Sequence, residues 1–182
     1  MTDEAERLFE RLLVLRCQTG DEDAYRELVG RFGPRLRYFL RKLVGQIDRA
    51  DDLAQEVWID VLRQLPRLKD AGAFTTWMYR IAHGKAMLDG RRNGRVPAST
   101  PDVEWIAEKE DGAFSAEDAV RIHAALDRLE PAQREVLVLR FLEELSYEEI
   151  GQIVECPLGT VRSRIHYAKA ALQRLLQRDK DF

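Results

Sequence analysis

Two cysteines in 182 residues, Cys17 and Cys156, leave no material for a disulfide framework or a cysteine-built zinc site. No apolar run approaches the roughly 20 residues that a membrane-spanning helix needs. The acidic start, Met1-Thr-Asp-Glu-Ala-Glu, has no apolar signal core, so a cytoplasmic protein without membrane insertion is expected. His83, His123 and His166 are scattered, no His-x-x-x-His pair exists, and no glycine-rich phosphate loop occurs. Neither catalysis nor a cofactor is expected. A net charge of -3 excludes a uniformly basic nucleic-acid coat. One absence is local: from Leu158 to Arg178 there is no acidic residue at all, while Arg162, Arg164, Lys169, Arg174 and Arg178 are all present.

What the chain does have is helical period nearly throughout. Leu8, Leu12, Leu13 and Leu15 predict an amphipathic first helix, broken at Thr19-Gly20-Asp21. Tyr25, Leu28, Val29 and Phe32 predict a second from about Asp21, continuing past Pro34 with a kink. A break at Gly45-Gln-Ile-Asp precedes a third helix over 51–65, with Leu53, Val57, Val61, Leu62 and Leu65 as its core face. A fourth is expected over 73–92. Turn-rich Asn93-Gly-Arg-Val-Pro and the acids Asp102, Glu104, Glu108, Glu110 and Asp111 predict a linker. The expected fold is all-α: a helical domain over 1–93, a flexible acidic linker over 94–115, and a helix-turn-helix domain over 116–182.

In that last domain, Pro131 suits a first helical turn, where its missing N–H costs nothing. Val136, Leu137, Leu139, Phe141 and Leu142 supply the apolar content of the helix it opens. Ser146-x-x-Glu149 has the capping-box pattern. Val154-Glu-Cys-Pro predicts a tight turn into the final helix, and Cys156 suits it as a small residue. Val161, Ile165, Ala168, Leu172 and Leu175 form a core stripe. Gly159, Ser163 and His166 then point away from the core, flanked by Thr160, Arg162 and Tyr167. Such side chains reach base edges in a major groove, whereas Arg164 and Lys169, nearer the stripe, suit phosphates. A merely solvated helix normally mixes charge signs, so the cation-only face points to DNA.

The first domain holds two further faces. Phe74-Thr-Thr-Trp77-Met-Tyr79-Arg80, followed by Lys85, Arg91, Arg92 and Arg95, interleaves aromatics with cations, as stacking on single-stranded bases requires. The same spacing also fits a core cluster, with Trp77 and Ile81 on one face. Asp51, Asp52, Gln55, Glu56 and Asp60 make the third helix acidic on its polar side. That face does not suit nucleic acid. It fits either solvent or a basic partner helix.

Five blocks, in order, carry a resemblance: Gly20-Asp-Glu-Asp-Ala-Tyr, Asp51-Asp-Leu-Ala-Gln-Glu-Val-Trp, Phe74-Thr-Thr-Trp-Met-Tyr-Arg-Ile-Ala, Leu129-Glu-Pro-Ala-Gln-Arg-Glu-Val, and the segment Ser146 to Ala171. With them the chain resembles the extracytoplasmic-function (ECF) sigma factors of the sigma-70 family over nearly its whole length. The resemblance implies a transcription initiation factor, without catalysis of its own, that directs core RNA polymerase to promoters. It assigns Asp51, Asp52, Gln55 and Glu56 to docking on the β′ clamp helices, and implies a β flap contact elsewhere. It assigns the helix holding Phe74, Thr76, Trp77, Tyr79, Arg80, Gly84, Lys85, Leu88, Arg91 and Arg92 to capture and melting of the −10 region. It assigns Thr160, Arg162, Ser163, Arg164, His166, Tyr167 and Lys169 to the −35 element. An anti-sigma protein, one that can hold the factor at a membrane, is the implied regulator. Family members often carry Asn at the position of Gly84 and a polar residue at that of Leu88, which implies a non-standard −10 sequence. Glu155 stands where the turn often has Gly. A one-piece helix-turn-helix regulator acting without polymerase is the rival reading; it leaves the 51–60 face and the fourth helix unexplained.

Overall fold

The computed structural model describes residues 3–92 and 119–178, all helix and short connections. Eight α-helices follow in order: α1 Asp3–Gln18, α2 Glu22–Val44, α3 Ile47–Gln64, α4 Phe74–Arg92, α5 Ala119–Asp127, α6 Pro131–Leu137, α7 Tyr147–Ile153 and α8 Leu158–Arg178. The chain divides into two units, Met1–Arg95 and Val96–Phe182. The acidic linker expected over 94–115 lies outside the described residues.

In the first unit, each chain reversal has a local cause. The Asp21 carboxylate caps α2, accepting from Asp23 N and Ala24 N at 3.0 Å each. Those N–H groups and the Arg16 guanidinium, 2.8 Å away, hold its carboxyl below the usual range. Gly45, at φ +70°, ends α2 in the left-handed conformation that glycine adopts without penalty. Only Gln46 separates Gly45 from α3, so the expected four-residue break is shorter and α3 starts at Ile47 rather than Asp51. The Gln18 side chain donates to the carbonyls of Leu65 and Leu68 at 3.0 and 2.7 Å, and so satisfies the end of α3. α2 packs on both α3 and α4. The core they enclose holds Leu28, Phe32, Leu36, Phe39, Leu53, Val57, Val61, Phe74, Met78 and Tyr79. Phe32 meets Phe74, and Phe39 meets Tyr79, edge to face at 5.1 and 5.0 Å.

One expected core face is displaced, and another holds except for one residue. In α1 it is Leu13, Val14 and Cys17 that are buried, while Leu8, Leu12 and Leu15 are exposed. The helix has two apolar arcs, and only one meets α2. Burial pushes the Cys17 thiol above its ordinary range, which leaves it an unreactive packing residue. Leu62 is 50% exposed although α3 buries Leu53, Val57 and Val61 around it.

The second unit packs α8 against α5, α6 and α7. The Arg134 guanidinium bonds the carbonyls of Leu126, Asp127 and Leu129 at 2.8 to 2.9 Å, closing the turn between α5 and α6. After α6 the chain makes a π-turn over Val138–Leu142, with Glu143 N bonded to Val138 O at 3.2 Å. The wider turn breaks the 3.6-residue phase. Phe141 and Leu142, expected as apolar content of the helix, are therefore exposed.

The capping box forms as expected: Ser146 Oγ accepts from Glu149 N at 3.2 Å, and Glu149 accepts from Ser146 N at 2.8 Å. Ser146→Ala should lower the stability of this unit by about 1 kcal/mol. A thermal melt of the full chain checks it; an unchanged second-unit transition contradicts the role. The turn into α8 is tight. A Cβ on Gly151 would lie 3.1 Å from the Cys156 carbonyl, so α7 and the turn approach this closely only with glycine there. Glu155, at φ +52°, occupies the left-handed position without a glycine's freedom, at a cost of about 1 kcal/mol.

Candidate nucleic-acid interface

The first candidate surface is α8. Val161, Ile165, Ala168 and Leu172 are buried, as the stripe predicts, with Leu175 half-buried. His166 and Tyr167 are exposed and stack edge to face at 5.4 Å; Thr160, Arg162, Arg164 and Lys169 are half-buried. The Lys169 ammonium lies 5.3 Å from the centre of the exposed Phe141 ring. Ser163 departs from expectation. Its side chain is buried and its hydroxyl donates to the Thr160 carbonyl at 3.0 Å, so it turns back on its own helix and offers nothing to a groove.

The second surface is α4, and here the aromatics separate. Phe74 and Tyr79 are core rings, and Thr76 is buried with them. These three expected DNA contacts are thus structural. The reason is phase: α4 turns Phe74, Met78, Tyr79, Ala82 and Ala86 inward. What remains outside is a strip at spacings of three and four: Trp77, Arg80, Gly84, Leu88 and Arg91, with Arg92 beside it. Trp77 is half-buried, its ring centre 6.1 Å from that of Phe74. Leu88 is 55% exposed, and a Cβ on Gly84 would meet nothing within 4 Å. Packing therefore does not demand glycine at 84; the residue leaves an open notch beside an exposed apolar side chain.

The third surface is the polar side of α3. Asp52, Gln55 and Glu56 are exposed. Asp51 is engaged elsewhere, 3.1 Å from Arg41 of α2. Ile59, which the charge pattern passed over, is exposed on the same side, three and four residues beyond Glu56 and Gln55. Its signal was available as an apolar residue in phase with the acids. Arg49 was also missed. Its Nε donates to Asp89 of α4 at 2.6 Å, and that bond holds the guanidinium above its ordinary range. Asp89, which stands between the cations of α4, is buried by this partnership. Lys85 points toward α3, 2.7 Å from Asp60, and so stands apart from the exposed strip.

A helix-turn-helix whose last helix carries cations and no acid marks a DNA-binding factor, and the separate helical unit adds one acidic face on α3 and one on α4 where Trp77 stands beside cations. Family comparison gives the same result. Residues 28–96 match the model of sigma-70 region 2, and residues 119–172 that of sigma-70 region 4. The chain is 34% identical over 178 residues to the RNA polymerase sigma-H factor of Pseudomonas aeruginosa, covering 91% of this chain and 92% of that one. It is 34% identical over 187 residues to the ECF RNA polymerase sigma-E factor of Escherichia coli K12, covering 95% and 97%. Among solved structures it resembles the sigma factor RpoE of Bartonella quintana in its complex with the anti-sigma factor NepR, with a TM-score of 0.64 and 25% identity over 84% of this chain and 96% of that one. The chain belongs to the sigma-70 family and is an RNA polymerase sigma factor of the ECF type. A stand-alone regulator is thereby set aside. Among the described residues no helix is long and apolar enough to cross a membrane.

Proposed function

We propose that this sigma factor divides promoter recognition between its units: α8 reads the −35 element, the exposed strip of α4 holds the opened −10 strand, and the α3 ridge docks on core polymerase. The observation that supports this division is that one packed unit presents faces of opposite chemistry on adjacent helices. Asp52, Gln55, Glu56 and Ile59 suit a basic helix with some apolar surface. Trp77, Arg80, Leu88 and Arg91 suit unstacked bases and phosphates. On α8, Arg162, His166, Tyr167 and Thr160 are the base-reading set, with Arg164 and Lys169 on phosphates. The Gly84 notch beside Leu88 replaces polar base readout by shape and apolar contact, which favours a −10 sequence unlike the usual one.

The chain supplies recognition and no catalysis, and works in the cytoplasm. Control by an anti-sigma protein is supported by the solved relative bound to one; a membrane-held inhibitor would tether the factor there. The deciding experiment is transcription with purified core polymerase on a randomised promoter library, paired with core affinity of Asp52→Lys. That reversal should weaken core binding roughly tenfold, since an exposed charge pair contributes up to about 1 kcal/mol and reversal adds repulsion. Undiminished core binding removes α3 from the docking role. Absence of any transcript removes the reading as a whole.

A further inference from the structure

The two faces of the first unit are tied to each other by ion pairs. Asp52, Glu56 and Asp60 follow at four-residue spacing along one ridge of α3. Lys85 of α4 reaches across to it, with Nζ 2.7 Å from Asp60 and 3.6 Å from Glu56. Arg49 reaches the other way, 2.6 Å from Asp89 of α4, 3.7 Å from Glu56 and 3.9 Å from Asp52. Glu56 thus lies between two cations, and Lys85 and Asp89 sit one turn apart on α4. The surface proposed for polymerase and the helix proposed for DNA share their charges.

These links differ in permanence. The Asp89 side chain is only 8% exposed, and a buried carboxylate stripped of its partner is costly. That bond keeps α4 in place. Lys85 and Asp60 are half-buried, but the Asp60 carboxylate is 31% exposed and stays hydrated when its partner leaves, so this pair exchanges partners at far less cost than the Asp89 bond. We infer that Lys85 is a DNA contact held in reserve: the α3 ridge retains its ammonium until a cationic partner occupies Glu56 and Asp60, whereupon it turns to phosphate. Polymerase docking and strand binding are then linked, each strengthening the other by the same factor. This rests on the reading of α3 as the docking ridge.

The test uses the full chain and a labelled single-stranded DNA oligonucleotide, followed by fluorescence anisotropy over a salt series. Asp60→Asn removes the nearer carboxylate and leaves only Glu56, 3.6 Å away, to hold Lys85. Without polymerase it should tighten binding about three- to tenfold and steepen the salt slope by about 0.7, the value for one further phosphate contact on a single strand. In a Lys85→Gln background the same change should have at most about a twofold effect, because the coupled pair is gone. With core polymerase bound, the gain should likewise shrink to about twofold, since the ridge is already occupied. Asp60→Ser repeats each measurement in case an asparagine amide retains Lys85, and a thermal melt confirms that both variants fold. Equal gains with and without Lys85, an unchanged affinity and slope in both variants, or a full gain persisting in holoenzyme each overturn the inference. Core affinity of Asp52→Lys in the same series separates the two levels. If it falls while Asp60→Asn and Asp60→Ser stay flat, the coupling alone is lost. If it does not fall, the docking reading fails and the polymerase half of the inference goes with it.

Discussion

Tyr79→Ala should destabilise the whole first unit rather than merely impair strand capture. Tyr79 is 0% exposed and its ring meets Phe39 edge to face at 5.0 Å. Removing a buried aromatic side chain costs about 3–5 kcal/mol, against a typical domain stability of about 5–15 kcal/mol. For a unit of this size the melting temperature should drop by about 15–30 °C. Core binding, −10 melting and transcription fall together, because every face of the unit depends on the same core. The contrast is Leu88→Ala, about two and a half turns further along α4 and so on the exposed strip. An exposed substitution of this kind stays within about 0.5 kcal/mol, so its melt should match wild type while −10 preference changes. Circular dichroism melts and transcription from −10 variants distinguish the two. A Tyr79→Ala chain that melts normally but fails only in strand opening would falsify the placement of this ring in the core.

The contrast between those residues shows what sequence could and could not yield. The α8 stripe, the Ser146 capping box and the bounds of α4 were all legible, because each depends on residues within a few positions of one another. Aromatic–basic interleaving in α4 was legible as composition but not as direction. Phe74 and Tyr79 turn inward while Trp77 and Arg80 turn outward, and only packing against α2 and α3 fixes that phase. α1 repeats the problem with apolar residues, since Leu12 and Leu13 belong to opposite arcs and the sequence does not say which meets α2. Ser163 shows a different limit: a short hydroxyl can bond its own helix instead of reaching out. The Arg49–Asp89 bond spans 40 positions and leaves no local trace. The π-turn after α6 shifts phase by its hydrogen-bond pattern, which no apolar spacing announces.

Arg162→Ala tests the other unit, with specificity rather than fold as its readout. Arg162 stands in the second turn of α8, near the end of the helix that enters a major groove in this motif. Its guanidinium can pair with both acceptors of a guanine edge, and no neighbouring side chain in the set replaces that fork: Ser163 is turned inward, and His166 and Tyr167 lie a turn further on. Its loss should cost about 1–3 kcal/mol at one −35 base pair and flatten preference there, with other positions and the melt unchanged. Lys169→Gln should behave in the opposite way. Held over Phe141 at the margin of the stripe, it should weaken all sequences alike and reduce the duplex salt slope by about 0.9. Competition among −35 variants for holoenzyme, at two salt concentrations, separates these outcomes. If Arg162→Ala instead lowers affinity evenly across the variants, its guanidinium sits on a phosphate. Base readout by α8 must then come from His166 and Tyr167, one turn deeper into the helix, and the footprint of the unit on DNA shifts with them.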